Sequence, residues 1–129
     1  MEKMIADLKD LNWETKVEKS IKPVFVMFYS DSCSHCRNMM PFFEKMSEEY
    51  RDVVIFGRLD VDKNVWIRER YGIMSTPTFK FYCRGKPVAD IVGEVYPAML
   101  RKMVDDMIEN GHECAEKSSA IDYEITGYA

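Results

Sequence analysis

Val24-Phe25-Val26-Met27-Phe28-Tyr29-Ser30-Asp31-Ser32-Cys33-Ser34-His35-Cys36 is the stretch on which the fold of this chain turns. Its first six residues are continuously apolar and β-prone, so they predict a strand covered on both faces. Ser30-Asp31-Ser32 breaks the strand, and a helix is expected from about Ser34 to Tyr50. Met39, Phe42, Phe43 and Met46 recur there at helical spacing, and Pro41 inside the helix should kink it. Cys33 and Cys36 therefore fall at the start of a helix fed by a buried strand. Residues three apart share a helix face, so the two thiols can close a disulfide with little backbone movement. Unpaired N–H groups and the helix dipole stabilise an anion at that point. This lowers the thiol pKa at Cys33 and supplies the thiolate that attacks disulfides, and a protonated His35 would add to the effect.

The pair admits other readings. Four cysteines in 129 residues can yield one CxxC by accident. Structural zinc calls for a second pair at short spacing, but Cys83 and Cys114 are far apart, with only His112 nearby. Cu(I) bound by Cys33, Cys36 and methionines is conceivable, although Met39, Met40 and Met46 are better explained as helix core. Redox chemistry suits the context best, and no metal or cofactor is expected.

Outward from this stretch, Ile5, Ala6 and Leu8 suggest a short first strand. Asn12 is placed to cap a helix carrying Trp13, Val17 and Ile21 inward, ending before Pro23. Val53 to Phe56 reads as a buried strand running on to Leu59 and Val61. Residues 64–71 read as a short helix with Val65, Ile67 and Tyr71 inward. Thr78 to Cys83 alternates as a strand, Arg84-Gly85-Lys86 is a hairpin turn, and Val88 to Val92 is the partner strand. Pro97 opens a last helix with Met99, Leu100, Met103, Val104, Met107 and Ile108 on one side, and Asn110-Gly111 ends it. The order β-α-β-α-β-α-β-β-α implies an α/β fold with a mixed sheet between helices. Residues 1–111 are expected to form one domain, and 112–129 a polar tail. Cys83, Cys114 and His112 read as bystanders, with regulatory oxidation of the two thiols as the alternative.

The net charge is −4, with both signs mixed along the sequence. That disfavours a nucleic-acid partner, which needs a positive face. No run approaches the length of a membrane span. The acidic N-terminal residues do not resemble a signal peptide, so a cytoplasmic location is expected. There, paired cysteines are more often catalytic or metal-binding than structural.

Several segments in order carry a family resemblance. They are Phe28 to Cys36, Pro41 five residues beyond Cys36, and Asp60-Val61-Asp62 followed by Asn64. Tyr71-Gly72-Ile73 then leads into Ser75-Thr76-Pro77-Thr78-Phe79, with Gly85 and Gly93 further on. Together they resemble the thioredoxin family from Ile5 to about Ile108, with essentially no gaps. The resemblance implies a thioredoxin fold and a protein-disulfide oxidoreductase, with Cys33 as exposed nucleophile and Cys36 as shielded resolving thiol. It implies a cis Pro77 and backbone hydrogen bonds from Thr76 to a docked client strand. Tyr29, Ser32, Val61, Val92, Gly93 and Glu94 would rim that docking surface. The implied partners are disulfide-containing client proteins and an upstream thioredoxin reductase or similar donor, with the chain acting as a monomer.

Departures from the family pattern bear on the chemistry. Met27 stands where many thioredoxins bury an aspartate that shuttles the resolving thiol's proton, and a thioether cannot do so. Arg58 stands where the family often has the lysine partnering that acid, which leaves a charge near the site without its usual companion. Ser34-His35 replaces the usual Gly-Pro, the His before the second Cys resembling disulfide isomerases and oxidases, and Ser32 replaces a common Trp. The direction of electron flow therefore stays open. So does a second class of function, a thioredoxin-fold interaction protein or redox sensor with little turnover.

Overall fold

In the computed structural model, which describes residues 4–110, five strands form one sheet in the order β1-β3-β2-β4-β5. The strands are β1 (Ile5–Leu8), β2 (Val24–Tyr29), β3 (Ile55–Asp60), β4 (Thr78–Cys83) and β5 (Lys86–Val92). β1, β3 and β2 run parallel, while β4 lies antiparallel to β2 and β5 antiparallel to β4. The helices are α1 (Ser34–Glu49), α2 (Val65–Arg70) and α3 (Pro97–Glu109). This is the expected mixed sheet flanked by helices.

The unbroken apolar run of β2 follows from its central place between two cores. Phe25 and Met27 face one cluster with Met39, Phe43 and Met46 of α1 and with Leu100 and Val104 of α3. Val24, Val26 and Phe28 face the other, with Trp13, Val17, Ile67 and Tyr82. The first core is built on packed rings, Phe25 lying 5.7 Å from Phe43 (tilted), 5.5 Å from Phe56 (edge-on) and 6.1 Å from Phe79 (stacked). Full burial of one such ring contributes about 1.5–3 kcal/mol. The second core contains Tyr82, whose buried hydroxyl has no hydrogen-bond partner among the described residues.

Several expectations are corrected. The helix expected after Asn12 is a π-helical turn over Glu14–Glu18, with the Lys19 N–H donating to the Glu14 carbonyl at 2.9 Å. Asn12 is not its cap; its Oδ1 accepts from the Lys9 N–H and so closes the preceding turn. Trp13 and Val17 are buried, but Ile21 is exposed, since the turn has ended before it. Phe42, Val65 and Met99 are also roughly half exposed, each lying at the margin of its apolar stripe, and so is Val53, which sits in the turn before β3 rather than in the strand expected to begin there. α2 is capped from a distant segment, because the Asp10 carboxylate accepts the Trp66 and Ile67 N–H groups at 3.3 and 3.0 Å.

The β4–β5 hairpin closes through Arg84 and Gly85, both at positive φ (52° and 83°), the geometry that twists with its strands. Gly85 packs so closely that a Cβ would lie 2.8 Å from the Glu18 Cα. β5 is an edge strand carrying Pro87, and its pairing with β4 shifts register between Phe81 and Tyr82. Cys83 is buried and disulfide-bonded, not the bystander thiol expected. Cys114, His112 and the expected tail lie outside the described residues. Among the described residues, no helix is long and apolar enough to cross a membrane.

Candidate active site

Cys33 sits at the junction the sequence marks. It is the N-cap of α1, with extended backbone (φ −94°, ψ 111°), and its Sγ accepts the Cys36 N–H at 3.2 Å. The sulfur thus does what a serine or threonine oxygen does at an ordinary N-cap. A thiolate there meets helix N–H groups that have no carbonyl partner. Cys33 and Cys36 are both free thiols, and their environments differ. Burial, the largest influence on Cys33, pushes its pKa up. Hydrogen bonding from Cys36, from the Thr76 side chain and from the Cys36 and His35 backbone outweighs it, so the Cys33 pKa lies below the ordinary thiol value. Cys36 is 2% exposed. Burial first, then hydrogen bonding and charge from Cys33, push its pKa up to about 11.

The facing wall is the loop before β4. Thr76-Pro77 is a cis peptide, as the resemblance implies, and the Cys33 thiol donates to the Thr76 carbonyl at 3.4 Å. Beside it, Gly93 takes φ +98° and its N–H donates to the Pro77 carbonyl at 2.7 Å. A side chain would strain that backbone. Val92 is 57% exposed, and Ser32 is exposed while Tyr29 and Thr76 are half-buried. Ser34 opens α1 on its exposed side.

Val61 departs from the expected rim. It is 2% exposed within the second core, because its N–H still pairs with the Tyr29 carbonyl at 2.9 Å and draws it under the sheet end. Met27 is fully buried in the same cluster as Cys36, so no carboxylate occupies that position. Arg58 is not without a companion. Its Nε donates to Asp7 at 2.8 Å, and its guanidinium lies 5.8 Å from the Tyr29 ring centre. Asp7 sits on β1 directly opposite Arg58 in register, a pairing invisible until the strands are aligned.

Four contacts were not legible in the sequence. Glu94 Oε1 receives His35 Nδ1 at 2.6 Å and Asn38 Nδ2 at 3.4 Å. Ser30 donates through Oγ to Asp62 at 2.5 Å, and its carbonyl accepts the Cys33 N–H at 3.1 Å. No local signal marks Asn38 or the side chain of Ser30, whose partners Glu94 and Asp62 lie far along the chain. Among the described residues, no group of three His, Cys, Asp or Glu side chains is placed to hold a metal ion.

A family model described as thioredoxin matches residues 4–106. The thioredoxin of Chlorobaculum thiosulfatiphilum is 34% identical over 99 residues, covering 77% of this chain and 92% of that protein. The thioredoxin of Alicyclobacillus acidocaldarius subsp. acidocaldarius is 32% identical over 102 residues, covering 79% and 96%. The bifunctional thioredoxin reductase/thioredoxin of Mycobacterium leprae (strain TN) is 31% identical over 104 residues, covering 81% of this chain and 23% of that protein.

Proposed function

The chain belongs to the thioredoxin family and is a thiol–disulfide oxidoreductase, and from that premise we propose that Cys33 is its nucleophile and Cys36 its resolving thiol. The observation that carries this assignment is the asymmetry of the pair. Cys33 is partly exposed, caps α1 and has its pKa lowered by hydrogen bonds, whereas Cys36 is buried and has its pKa raised.

The Cys33 thiolate attacks one sulfur of a client disulfide. The client S–S bond breaks, a mixed disulfide forms, and the client's departing thiolate takes up a proton. Cys36 then loses its proton and attacks Cys33 Sγ, releasing the second client thiol. The client disulfide ends as two thiols, and Cys33 and Cys36 end as a disulfide. The same steps in reverse oxidise a client.

The Thr76 carbonyl is engaged by the Cys33 S–H in the free protein. Ionisation removes that donor and leaves the carbonyl open to an N–H of an extended client segment, the β-augmentation mode. Tyr29, Ser32, Val92 and Gly93 are assigned to the rim of that groove, and the buried Pro77 to its floor. The upstream donor is proposed to be a reductase of the kind fused to thioredoxin in the Mycobacterium leprae relative. We place the chain in the cytoplasm as a monomer, since a working dithiol suits a reducing compartment. The bonded Cys83 pulls the other way, and thiol counting on protein taken from cells without reductant decides between them.

Insulin reduction with dithiothreitol tests turnover. Wild type should catalyse it and Cys33→Ser should not. Cys36→Ser should instead hold clients as mixed disulfides that dithiothreitol releases. Turnover surviving in Cys33→Ser would overturn the assignment. Absence of turnover in wild type, with reversible Cys33–Cys36 oxidation intact, would favour the sensor reading suggested by Met27.

A further inference from the structure

Glu94 follows Gly93 directly, so it rides on a loop that the Gly93 N–H ties to the Pro77 carbonyl. From there its carboxylate crosses to the first turn of α1 and meets His35, the residue between the two thiols. Asn38, one turn on, donates to the same oxygen at 3.4 Å. The walls around Cys33 are thereby stitched together by Cys33 to Thr76, Gly93 to Pro77, and His35 to Glu94. The His35 and Glu94 side chains are 65% and 38% exposed. An ion pair that open to water adds little to folding stability, so its importance must lie elsewhere. We propose that Glu94 is a positioning residue that anchors the His35 imidazole across the mouth of the site and favours its cationic form, so that the nucleophilic thiolate two residues earlier gains a cationic neighbour. The proposal rests on the assignment of Cys33 as nucleophile.

The electrostatics agree from both sides. The Glu94 hydrogen bond first, and its charge second, raise the His35 pKa above the ordinary imidazole value, with the Cys33 charge adding to them. The His35 hydrogen bond first, and Asn38 second, hold Glu94 below the ordinary carboxylate value. The charged and titratable groups around the pair are few. On α1 they are Cys36 and Arg37, the latter donating to the Asp31 carbonyl at 3.0 Å. In the preceding loop they are Asp31 itself and, beyond Ser30, Asp62. The Ser75-Thr76-Pro77 loop brings none. Charge attraction between His35 and Cys33 is reciprocal, so whatever keeps the imidazole protonated also favours the thiolate.

The test compares wild type with Glu94→Gln, His35→Gln and the double variant. The rate of Cys33 alkylation by iodoacetamide is followed from pH 5 to 9, the His35 titration by NMR, and the melting temperature alongside. In Glu94→Gln the His35 titration should move down toward the ordinary value of about 6.5. Between pH 7 and 8 Cys33 should then react about threefold more slowly than in wild type, the equivalent of half a pKa unit. Adding Glu94→Gln to His35→Gln should bring no further loss of rate, since the carboxylate then has no imidazole to hold, and the melting temperature of Glu94→Gln should match wild type. An unmoved His35 titration in Glu94→Gln would overturn the proposal, as would an equal loss of rate in the His35→Gln background. Failure of wild-type Cys33 to be the reactive thiol would overturn the underlying assignment instead, a separate result from the same experiment.

Discussion

Met27→Asp places a carboxylate in the cluster that contains Cys36, at a position where the protein has a fully buried thioether. Resolution of a mixed disulfide needs Cys36 as thiolate. With a pKa of about 11, only about one Cys36 in 3,000 is ionised at pH 7.5. In the mixed disulfide the Cys33 contributions to that shift disappear, but burial, the largest cause, persists. A buried Asp at position 27 has its own pKa raised toward neutrality by desolvation, which suits it to accept the Cys36 proton. A well-placed general base contributes about 10²–10⁴-fold. The side chain here is placed by substitution alone, so a gain of about 10- to 100-fold at pH 7 is expected, vanishing above pH 10. The cost falls on the fold. Loss of the packed thioether and burial of a polar group together should destabilise by about 3–5 kcal/mol, lowering the melting temperature by about 10–20 °C. Arg58 gives limited relief, because Asp7 already holds it. The assay is single-turnover release of a chromogenic thiol from a Cys33 mixed disulfide, followed against pH. If wild type resolves as fast as the Asp variant from pH 6 to 9, another group already serves as base and Met27 is no handicap.

Brief iodoacetamide treatment of the reduced protein at pH 7 should label Cys33 and spare Cys36, and mass spectrometry showing equal labelling would refute the asymmetry of the pair. Gly85→Ala should destabilise by about 2–4 kcal/mol, since the new Cβ meets Glu18 backbone at positive φ; an unchanged melting temperature would show that the hairpin yields. Tyr82→Phe removes a buried hydroxyl that has no partner among the described residues, so thermal stability should hold or rise slightly. A fall of several degrees would reveal a partner for that hydroxyl.

The strand and helix around Cys33 were legible because β2 is buried on both faces and α1 carries a long apolar stripe, both patterns set by neighbours in sequence. Pro77 and Gly93 were legible only through resemblance, since no periodicity announces a cis peptide or a positive φ. Residues at stripe margins misled, as Phe42, Val65 and Ile21 show: hydrophobicity gives a face, while the edge of the packed area decides who is covered. Long-range pairings were out of reach. Asp10 caps α2 from more than fifty residues away, Asp7 finds Arg58 only when β1 and β3 align, and Glu94 meets His35 only after β5 returns to α1.

A protein that handles extended client chains has to govern where they stick. Its sheet ends on one side in β1, four residues long, and on the other in β5, which is longer and outermost. On β5, Pro87 withholds an N–H, the register shift bends the ladder, and Lys86 and Asp90 put charge along the strand. These features discourage strand-to-strand recruitment. An unfolded segment sliding over this molecule would be discouraged along its longest open margin, and under the proposed docking mode the backbone invitation would be left to the short stretch at Thr76. Selectivity for the redox groove would thus be written partly into the opposite side of the hairpin, in residues that never touch a client's sulfur.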